Sequence, residues 1–226
     1  MISKLPRWIW YCGWVLAFIA GMVNVVGIYG VQHQAITHLT GNTSLLAIAI
    51  ATADPFGILR AAAVIGSFVL GTALSGFIIQ DTALQLGRRY GVALALEAVL
   101  LAVAAPLLEH HNPGGLYVAA GACGLQNAMV TTYSGTVIRT THLSGMFTDL
   151  GIFLGHALRG LPVDTKRVRM CLLVISGFFF GGIIGVICFR KLGFSTLYIP
   201  SLVTAGASLG YALYLARKQR PIGNPI

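Results

Sequence analysis

The sequence predicts an all-α fold, a polytopic integral membrane helix bundle of about eight spans (six to eight), built from two parallel-oriented four-helix repeats. Composition, the placement of basic residues and a set of repeated motifs lead to this prediction. Of the 226 residues, 56% are hydrophobic and only 9% are charged, and the mean hydropathy is +0.81. A soluble domain carries about 25% charged residues, so this composition excludes an ordinary soluble protein.

Eight apolar runs are each close to the ~20 residues that a helix needs to cross a bilayer. They cover 8–30, 36–53, 58–79, 91–108, 114–134, 140–158, 170–189 and 194–216. The second and sixth runs are short and polar, so a partial or tilted path for one or both would leave six or seven full crossings. We expect a single transmembrane domain over 1–226, with repeat halves at approximately 8–110 and 111–216.

Basic residues stand at the ends of the apolar runs, which is typical of charges that flank a membrane and contact anionic lipid headgroups. The formal net charge of +9 therefore indicates a lipid bilayer as partner and no nucleic acid. With eight spans, the side that holds the N-terminus would carry ten Lys and Arg residues: Lys4, Arg7, Arg60, Arg159, Lys166, Arg167, Arg169, Arg217, Lys218 and Arg220. The other side would carry five: Arg88, Arg89, Arg139, Arg190 and Lys191. This excess predicts that both termini are cytoplasmic.

Three motifs occur twice in the same order. His38-Leu39-Thr40-Gly41 matches His142-Leu143-Ser144-Gly145 at a shift of 104 residues. Gly21-x-x-Asn24 matches Gly124-x-x-Asn127 at a shift of 103, and Phe68-x-x-Gly71 matches Phe178-x-x-Gly181 at a shift of 110. The pattern predicts a duplication with four helices in each half. An even number of crossings keeps both halves in the same orientation, with spans two and six adjacent near the centre.

These paired motifs, together with Gln126 and with Thr148-Asp149-Leu150-Gly151, resemble the YoaK-type membrane proteins, a mainly bacterial family whose domain is labelled as of unknown function. The resemblance covers about 15 to 215. It implies a multi-spanning protein of the bacterial inner membrane with a single domain, and it implies no reaction or substrate. The family commonly has Asp at the position of Asn24, and Thr at the position of Ser144.

Asp149 is the leading candidate for a substrate- or ion-binding residue, because an intramembrane carboxylate is costly and is functional by default. His142 and His156 lie seven residues to either side of it, about 10 Å away along a helix. That spacing excludes one metal ion bound by all three, but it suits a polar lining or a chain of proton-exchanging groups. The alternative is a structural one, in which Asp149 caps or hydrogen-bonds a neighbouring helix.

The other candidates are polar residues within or beside the apolar runs. They are Asn24, His38, Thr40, Asn42, Thr43, Glu97, Gln126, Asn127, Ser144 and Thr148. In repeat transporters, polar segments at corresponding positions meet at the binding site, so we expect Thr40, Asn42, Asn127, His142 and Ser144 to border one cavity. Interhelical hydrogen bonds and close helix packing are the structural alternatives.

We therefore predict a membrane transporter or channel for a small solute or ion, with proton coupling as one option. A scaffold or sensor with a structural polar core is the alternative. An intramembrane enzyme is less favoured, since no nucleophile–base pair, metal cluster or nucleotide loop stands out, and no cofactor or metal is expected. Small-residue faces favour close packing within the chain or a homodimer; they are Gly151-x-x-x-Gly155, Gly177-x-x-x-Gly181-x-x-x-Gly185 and Gly206-x-x-x-Gly210.

Overall fold

The regular structure consists of helices throughout the residues that the computed structural model describes, which are 7–31, 35–80, 87–134 and 139–218. The helices are α1 (Arg7–Gly30), α2 (Leu39–Ala51), α3 (Pro55–Ile78), α4 (Arg89–Glu109), α5 (Gly114–Ser134), α6 (Leu143–Leu158), α7 (Thr165–Leu192) and α8 (Tyr198–Lys218). A 3-10 turn, Gly193–Leu197, joins α7 to α8. Lys4 and Arg220 lie outside the described residues. The predicted helical fold is thus confirmed for the described part of the chain.

Side-chain caps fix where α3 and α7 begin. The Asp54 carboxylate accepts a hydrogen bond from the backbone N–H of Phe56 at 3.1 Å, and Pro55 occupies the first turn of α3. In the same way, the Asp164 carboxylate accepts from the N–H groups of Lys166 and Arg167. Asp and Pro at these positions satisfy or remove the N–H groups that a helix start leaves unpaired.

The bundle has two ends, which the directions of α1, α4, α5 and α8 define. Trp8 of α1 meets Tyr133 of α5 with ring centroids 5.9 Å apart, so the two helices are antiparallel. Helices α4 and α8 are also antiparallel, because the hydroxyl of Ser208 donates to the Gly91 carbonyl and that of Ser201 to the Ala98 carbonyl, both at 2.7 Å. The starts of α1 and α4 and the ends of α5 and α8 form what we call the basic end. The opposite end, with Glu109 and the 3-10 turn, is the far end.

Helices α3 and α7 also run in opposite directions. Helix α7 is parallel to α1, since Gly177, Gly181 and Gly185 successively approach Trp14, Phe18 and Met22. Helix α3 begins at the far end, where Val64 belongs to the same buried cluster as Leu116. It finishes at the basic end, where Ile79 belongs to the same buried cluster as Tyr133. Every pair of corresponding long helices (α1 and α5, α3 and α7, α4 and α8) is therefore inverted, and the predicted parallel orientation of the two halves is wrong.

The error in orientation comes from α2 and α6, which do not pass from one end to the other. Helix α1 ends at the far end and α3 begins there, so α2 starts and finishes on that side. Likewise, α5 ends and α7 begins at the basic end, so α6 returns to it. Each half therefore holds three end-to-end helices rather than four, and an odd number inverts the second half. Helices α2 and α6 make no contact with each other in the described part of the chain, contrary to the predicted adjacency.

Glycines bring the long helices together at two corresponding places. A Cβ atom on Gly21 of α1 would overlap the backbone carbonyl of Phe178 in α7, and one on Gly124 of α5 would overlap the carbonyl of Phe68 in α3. The small-residue face of α7 is thus used within the chain. The other predicted small-residue faces, on α6 and α8, have no atoms within 4 Å of where a Cβ would lie: Gly151, Gly155, Gly206 and Gly210. A homodimer through them stays a prediction.

Four segments of the described chain are long and apolar enough to cross a membrane. They are Trp8–Gly30, Pro55–Ile78, Arg89–Glu109 and Thr165–Arg217, the last containing both α7 and α8. Helix α5 lies at the centre of the bundle, with most of its side chains buried between α1, α3 and α4. The two short helices extend only about 20–24 Å at 1.5 Å per residue, less than the roughly 30 Å hydrocarbon core of a bilayer.

Candidate functional site

The chain re-enters the bundle before each short helix, and an asparagine holds the re-entrant segment. The side-chain oxygen of Asn24 accepts a hydrogen bond from the backbone N–H of Thr37 at 3.0 Å, and both residues are buried. Asn24 lies six residues before the end of α1, so Thr37 sits about 9 Å inside that end. In the second half, the hydroxyl of Thr140 donates to the side-chain oxygen of Asn127 at 3.4 Å.

The hydroxyl groups of the two motifs mainly form hydrogen bonds within their own helices, α2 and α6. The hydroxyl of Ser44 donates to the Thr40 carbonyl at 3.2 Å, and that of Thr148 donates to the Ser144 carbonyl at 2.9 Å. Thr43 likewise donates to the Leu39 carbonyl at 2.9 Å. These bonds bind side chains to their own helices, which is how hydroxyls are satisfied in an apolar environment.

His38 and His142 occupy equivalent places immediately before α2 and α6. Their rings pack over Gly41 and Gly145, where a side chain would meet the imidazole. Both histidines are exposed, as are Thr40, Thr43, Ser144 and Thr148. Asn42, in contrast, is buried and donates to the Ala35 carbonyl at 2.8 Å. The five residues expected to border one cavity lie on opposite sides of the bundle. Thr40 and Asn42 belong to α2, on the side of the far end, whereas Asn127, His142 and Ser144 lie toward the basic end.

Asp149 lies on the periphery rather than in the centre. Its carboxylate is 3.3 Å from the guanidinium of Arg167, in the first turn of α7, and about a third of its side chain is exposed. His156 is also exposed. The structure thus places the leading sequence candidate in an ion pair between α6 and α7, away from the cavity described next.

A cavity of about 370 Å³ opens at the basic end between α1, α4, α5 and α8. Its walls are almost wholly apolar and aromatic. They include Trp8, Cys12, Leu94, Tyr133, Thr204 and Tyr211. Because α4 packs along α5 whereas α8 barely touches α1, the cavity follows the gap between α1 and α8.

Two buried polar residues lie on the same helix faces as the cavity walls, one or two turns deeper. Glu97 follows the lining residue Tyr90 by seven positions on α4, and Gln126 precedes the lining residue Tyr133 by seven on α5, a spacing that keeps side chains on one helix face. Glu97 is 1% exposed and Gln126 is 0% exposed. The Gln126 amide donates to the Leu16 carbonyl of α1 at 2.8 Å. Neither residue is among those that line the cavity; we call this buried pair, which lies beneath the lining residues, the cavity floor.

The floor has acceptor atoms that lack donors. Oε2 of Glu97 and Oε1 of Gln126 are buried without a hydrogen-bond partner among the described residues. A buried polar atom without a partner costs about 1–3 kcal/mol, and more when it is charged. Such atoms are expected where a ligand, an ion or water completes the site.

The far end of the bundle is closed by aromatic packing and a hydrogen bond. Phe189 and Phe194 pack edge to face with centroids 5.2 Å apart, against the fully buried Leu197. The hydroxyl of Ser195 donates to the Glu109 carboxylate at 2.5 Å. The bundle is therefore closed at this end. Within the described ranges, no three His, Cys, Asp or Glu side chains are placed to hold a metal ion.

Two antiparallel sets of long apolar helices, with a cavity at the basic end, define a polytopic helical membrane protein. The chain belongs to the DUF1275 family of proteins of unknown function, whose family model matches residues 12–210. This match confirms the resemblance drawn from the paired motifs. The chain is also similar to a UPF0700 transmembrane protein of Rhizobium meliloti (strain 1021), with 28% identity over 190 residues, covering 83% of this chain and 79% of that protein. No solved structure matches.

Sequence reasoning missed the aromatic wall of the cavity. Tyr90 and Glu97, like Gln126 and Tyr133, are separated by one heptad, and that spacing was the available signal. It pointed to an aromatic and a polar residue on one face of each helix. That the two faces meet depends on the antiparallel packing of α4 and α5, seen in the contact of Tyr90 with Tyr133, which the sequence does not reveal.

Proposed function

We propose that the protein is a membrane transporter for a small solute, coupled to protons through Glu97. The observation that carries the proposal is the cavity at the basic end, whose floor holds a buried carboxyl with an unpartnered oxygen. An unpaired ionised carboxylate is costly in such a place. Glu97 would therefore hold a proton when the site is empty and exchange it when solute binds.

The inverted order of the helices supports transport. Inverted-topology repeats and interrupted segments are common in secondary transporters, where the two halves exchange roles as access alternates. Here corresponding contacts differ: α4 packs tightly on α5, while the equivalent helices α8 and α1 are separated. We propose that the halves arose by duplication and that the chain crosses the membrane six times, with α2 and α6 re-entering from opposite sides.

The distribution of charge supports an orientation with the cavity open to the cytoplasm. At the basic end stand ten Lys and Arg positions: Arg7, Arg88, Arg89, Arg139, Arg159, Lys166, Arg167, Arg169, Arg217 and Lys218. At the far end stand three: Arg60, Arg190 and Lys191. Six crossings give a stronger asymmetry than eight, because Arg88, Arg89 and Arg139 change sides. By the positive-inside rule, the basic end and both termini would face the cytoplasm of a bacterial inner membrane.

Proton flux in reconstituted vesicles tests the proposal. Vesicles with a pH-sensitive dye inside are exposed to panels of cationic, anionic and neutral solutes, and internal pH is followed. We expect a solute-dependent pH change with the unmodified protein and with the control Asp149→Asn, whose carboxylate lies outside the cavity. Glu97→Gln, which keeps the shape of the side chain but cannot exchange a proton, should abolish it.

The proposal fails if Glu97→Gln, eluting as a folded protein on size exclusion, gives the same solute-dependent pH change as the unmodified chain. A solute flux without proton movement in both proteins would indicate an uncoupled channel or carrier. Loss of the pH change in Asp149→Asn alone would return the coupling role to α6, as the sequence first suggested.

A further inference from the structure

Two aromatic side chains of the cavity, Tyr90 and Tyr133, are turned inward, whereas the lining residue Trp8 is 42% exposed. Tyr90 is 4% exposed and Tyr133 is 7% exposed, and their ring centroids are 5.9 Å apart in an edge-to-face arrangement. Trp8 packs on Tyr133 at the same separation. Interfacial Trp and Tyr residues of a membrane protein commonly anchor at the lipid headgroups, but rings buried to this degree face the interior. Such a cluster is a binding wall for apolar groups and for cations, which electron-rich aromatic faces attract.

The floor of the cavity selects for hydrogen-bond donors. Once Glu97 has lost its proton, its Oε2 and the Oε1 of Gln126 are both acceptors without a partner. The Gln126 amide nitrogen has two N–H donors, and one of them already donates to the Leu16 carbonyl. A carboxylate ligand would bring further acceptors and a like charge to Glu97. A protonated amine would bring N–H donors and the opposite charge.

From these two observations we infer that the cavity binds a lipophilic organic amine in its protonated form. The ammonium group would lie at the deep end of the cavity, on the side of Glu97 and Gln126, and the apolar body would lie between α1 and α8 against Tyr133 and Leu94. The volume of about 370 Å³ is at the small end of the 300–1,000 Å³ that ligand sites span. The inference rests on the proposed function, whose substrate class it names.

Charge balance requires that binding of the ammonium be accompanied by release of the Glu97 proton. As the ammonium enters, the Glu97 proton leaves to the water of the open end, so the site exchanges one positive charge for another. Cys123 of α5 is the titratable side chain beside Glu97. Helix α8 presents Ser201 and Thr204, which do not titrate, and α3 and the 3-10 turn have only Arg60, three turns or more from that level. Glu97 is therefore the group that can exchange.

The cavity holds a native reporter for occupancy. Cys12 lines it and is exposed, whereas Cys123 and Cys171 are buried. In a Cys188→Ser background, the rate at which a maleimide alkylates Cys12 would measure how much of the cavity is free. The probes are an arylalkyl amine, the alcohol of the same skeleton and the corresponding carboxylic acid, each tested at neutral pH on purified full-length protein.

We expect the amine to protect Cys12 at concentrations at least about tenfold lower than the alcohol, the ratio that one charge-assisted hydrogen bond gives. Glu97→Gln should remove this difference and leave protection by the alcohol unchanged. Equal protection by amine and alcohol in the unmodified protein would overturn the inference. So would stronger protection by the carboxylic acid, which would indicate selection by the arginines of the basic end, or lipid retained in the cavity that no probe displaces.

The Cys12 protection experiment and the proton-flux experiment can fail independently of each other. If amines do not protect Cys12 but another solute gives a pH change that Glu97→Gln abolishes, the ligand class is wrong and the transporter stands. If amines protect Cys12 through Glu97 but no solute moves protons, the binding site stands and the transporter is wrong.

Discussion

The close approach of α5 to α3 makes Gly124→Ala the sharpest test of the bundle. The added methyl would overlap the Phe68 carbonyl, and a backbone atom cannot rotate away. The two helices would have to separate by about 1 Å, and overpacking of this kind costs ~1–3 kcal/mol. Alanine recovers roughly 1 kcal/mol of helix propensity relative to glycine. Because the overlapped atom belongs to the backbone, we take the upper part of that range, ~2–3 kcal/mol, and expect a net loss of about 1–2 kcal/mol in the free energy of unfolding.

Thermal unfolding in detergent, followed by tryptophan fluorescence, measures this loss. For a chain of this size, 1 kcal/mol moves the midpoint by about 2–4 °C, so Gly124→Ala should lower it by roughly 2–8 °C. Gly66→Ala is the matched control on α3, because no atom lies within 4 Å of its would-be Cβ. Only the gain in propensity applies there, and the midpoint should stay or rise.

Gly21→Ala applies the same test to the corresponding contact between α1 and α7. Its methyl would overlap the Phe178 carbonyl of α7 in the same way, so its effect should match that of Gly124→Ala. If Gly66→Ala lowers the midpoint as much as Gly124→Ala, close packing is not the cause of the loss. If Gly21→Ala is neutral, the two crossings are not equivalent.

Three further predictions follow from the re-entrant segments and the ends of the bundle. Single cysteines at Arg88 and Arg139 should react with an impermeant thiol reagent only from the side of the termini, and one at Arg190 only from the other side; labelling of Arg88 from the Arg190 side would restore eight spans. Asn24→Leu should cost about 1–3 kcal/mol, because it leaves the buried N–H of Thr37 unpaired, while Asn24→Asp keeps an acceptor; equal midpoints for the two variants would exclude that role. Asp149→Asn should change the free energy of unfolding by less than about 1 kcal/mol, the usual limit for an exposed ion pair, and a larger loss would mean that the pair is shielded from water.

Much of the fold follows from the sequence, because length and hydropathy of the apolar runs fix the helices. The eight predicted runs each correspond to one helix, and the weakest two, 36–53 and 140–158, correspond to the short helices α2 and α6. The resemblance to the family was likewise carried by local motifs. What the prediction got wrong was the number of helices that run from one end of the bundle to the other. A short polar helix that enters and leaves on one side has almost the same composition as a crossing helix. It nevertheless changes the number of end-to-end helices in its half from even to odd.

The candidate site was harder to predict, because burial depends on neighbours. Asp149 and Glu97 both lie inside apolar runs, and their spacing from other polar residues favoured Asp149. In the structure, α6 lies at the edge of the bundle, where Asp149 reaches Arg167. Helix α4 packs on α5 and α8 along its length, so Glu97 is closed off from solvent. Which helix is central is a tertiary property, and one sequence gives no measure of it.

The repeated polar motifs have a physical explanation that does not require them to bind solute. A helix that begins inside the bundle is preceded by irregular backbone, which needs hydrogen-bond partners from the protein where water is excluded. The segment before it must also be held in place without regular structure. Asn24 and Asn127 provide acceptors for that segment, and the hydroxyls of Ser44 and Thr148 bond within the first turns of their helices. Gly41 and Gly145 leave room for the preceding histidine rings. The same need arises once in each half, so the same motif occurs twice. Glu97, on which the proposed transport depends, has no acidic counterpart in α8.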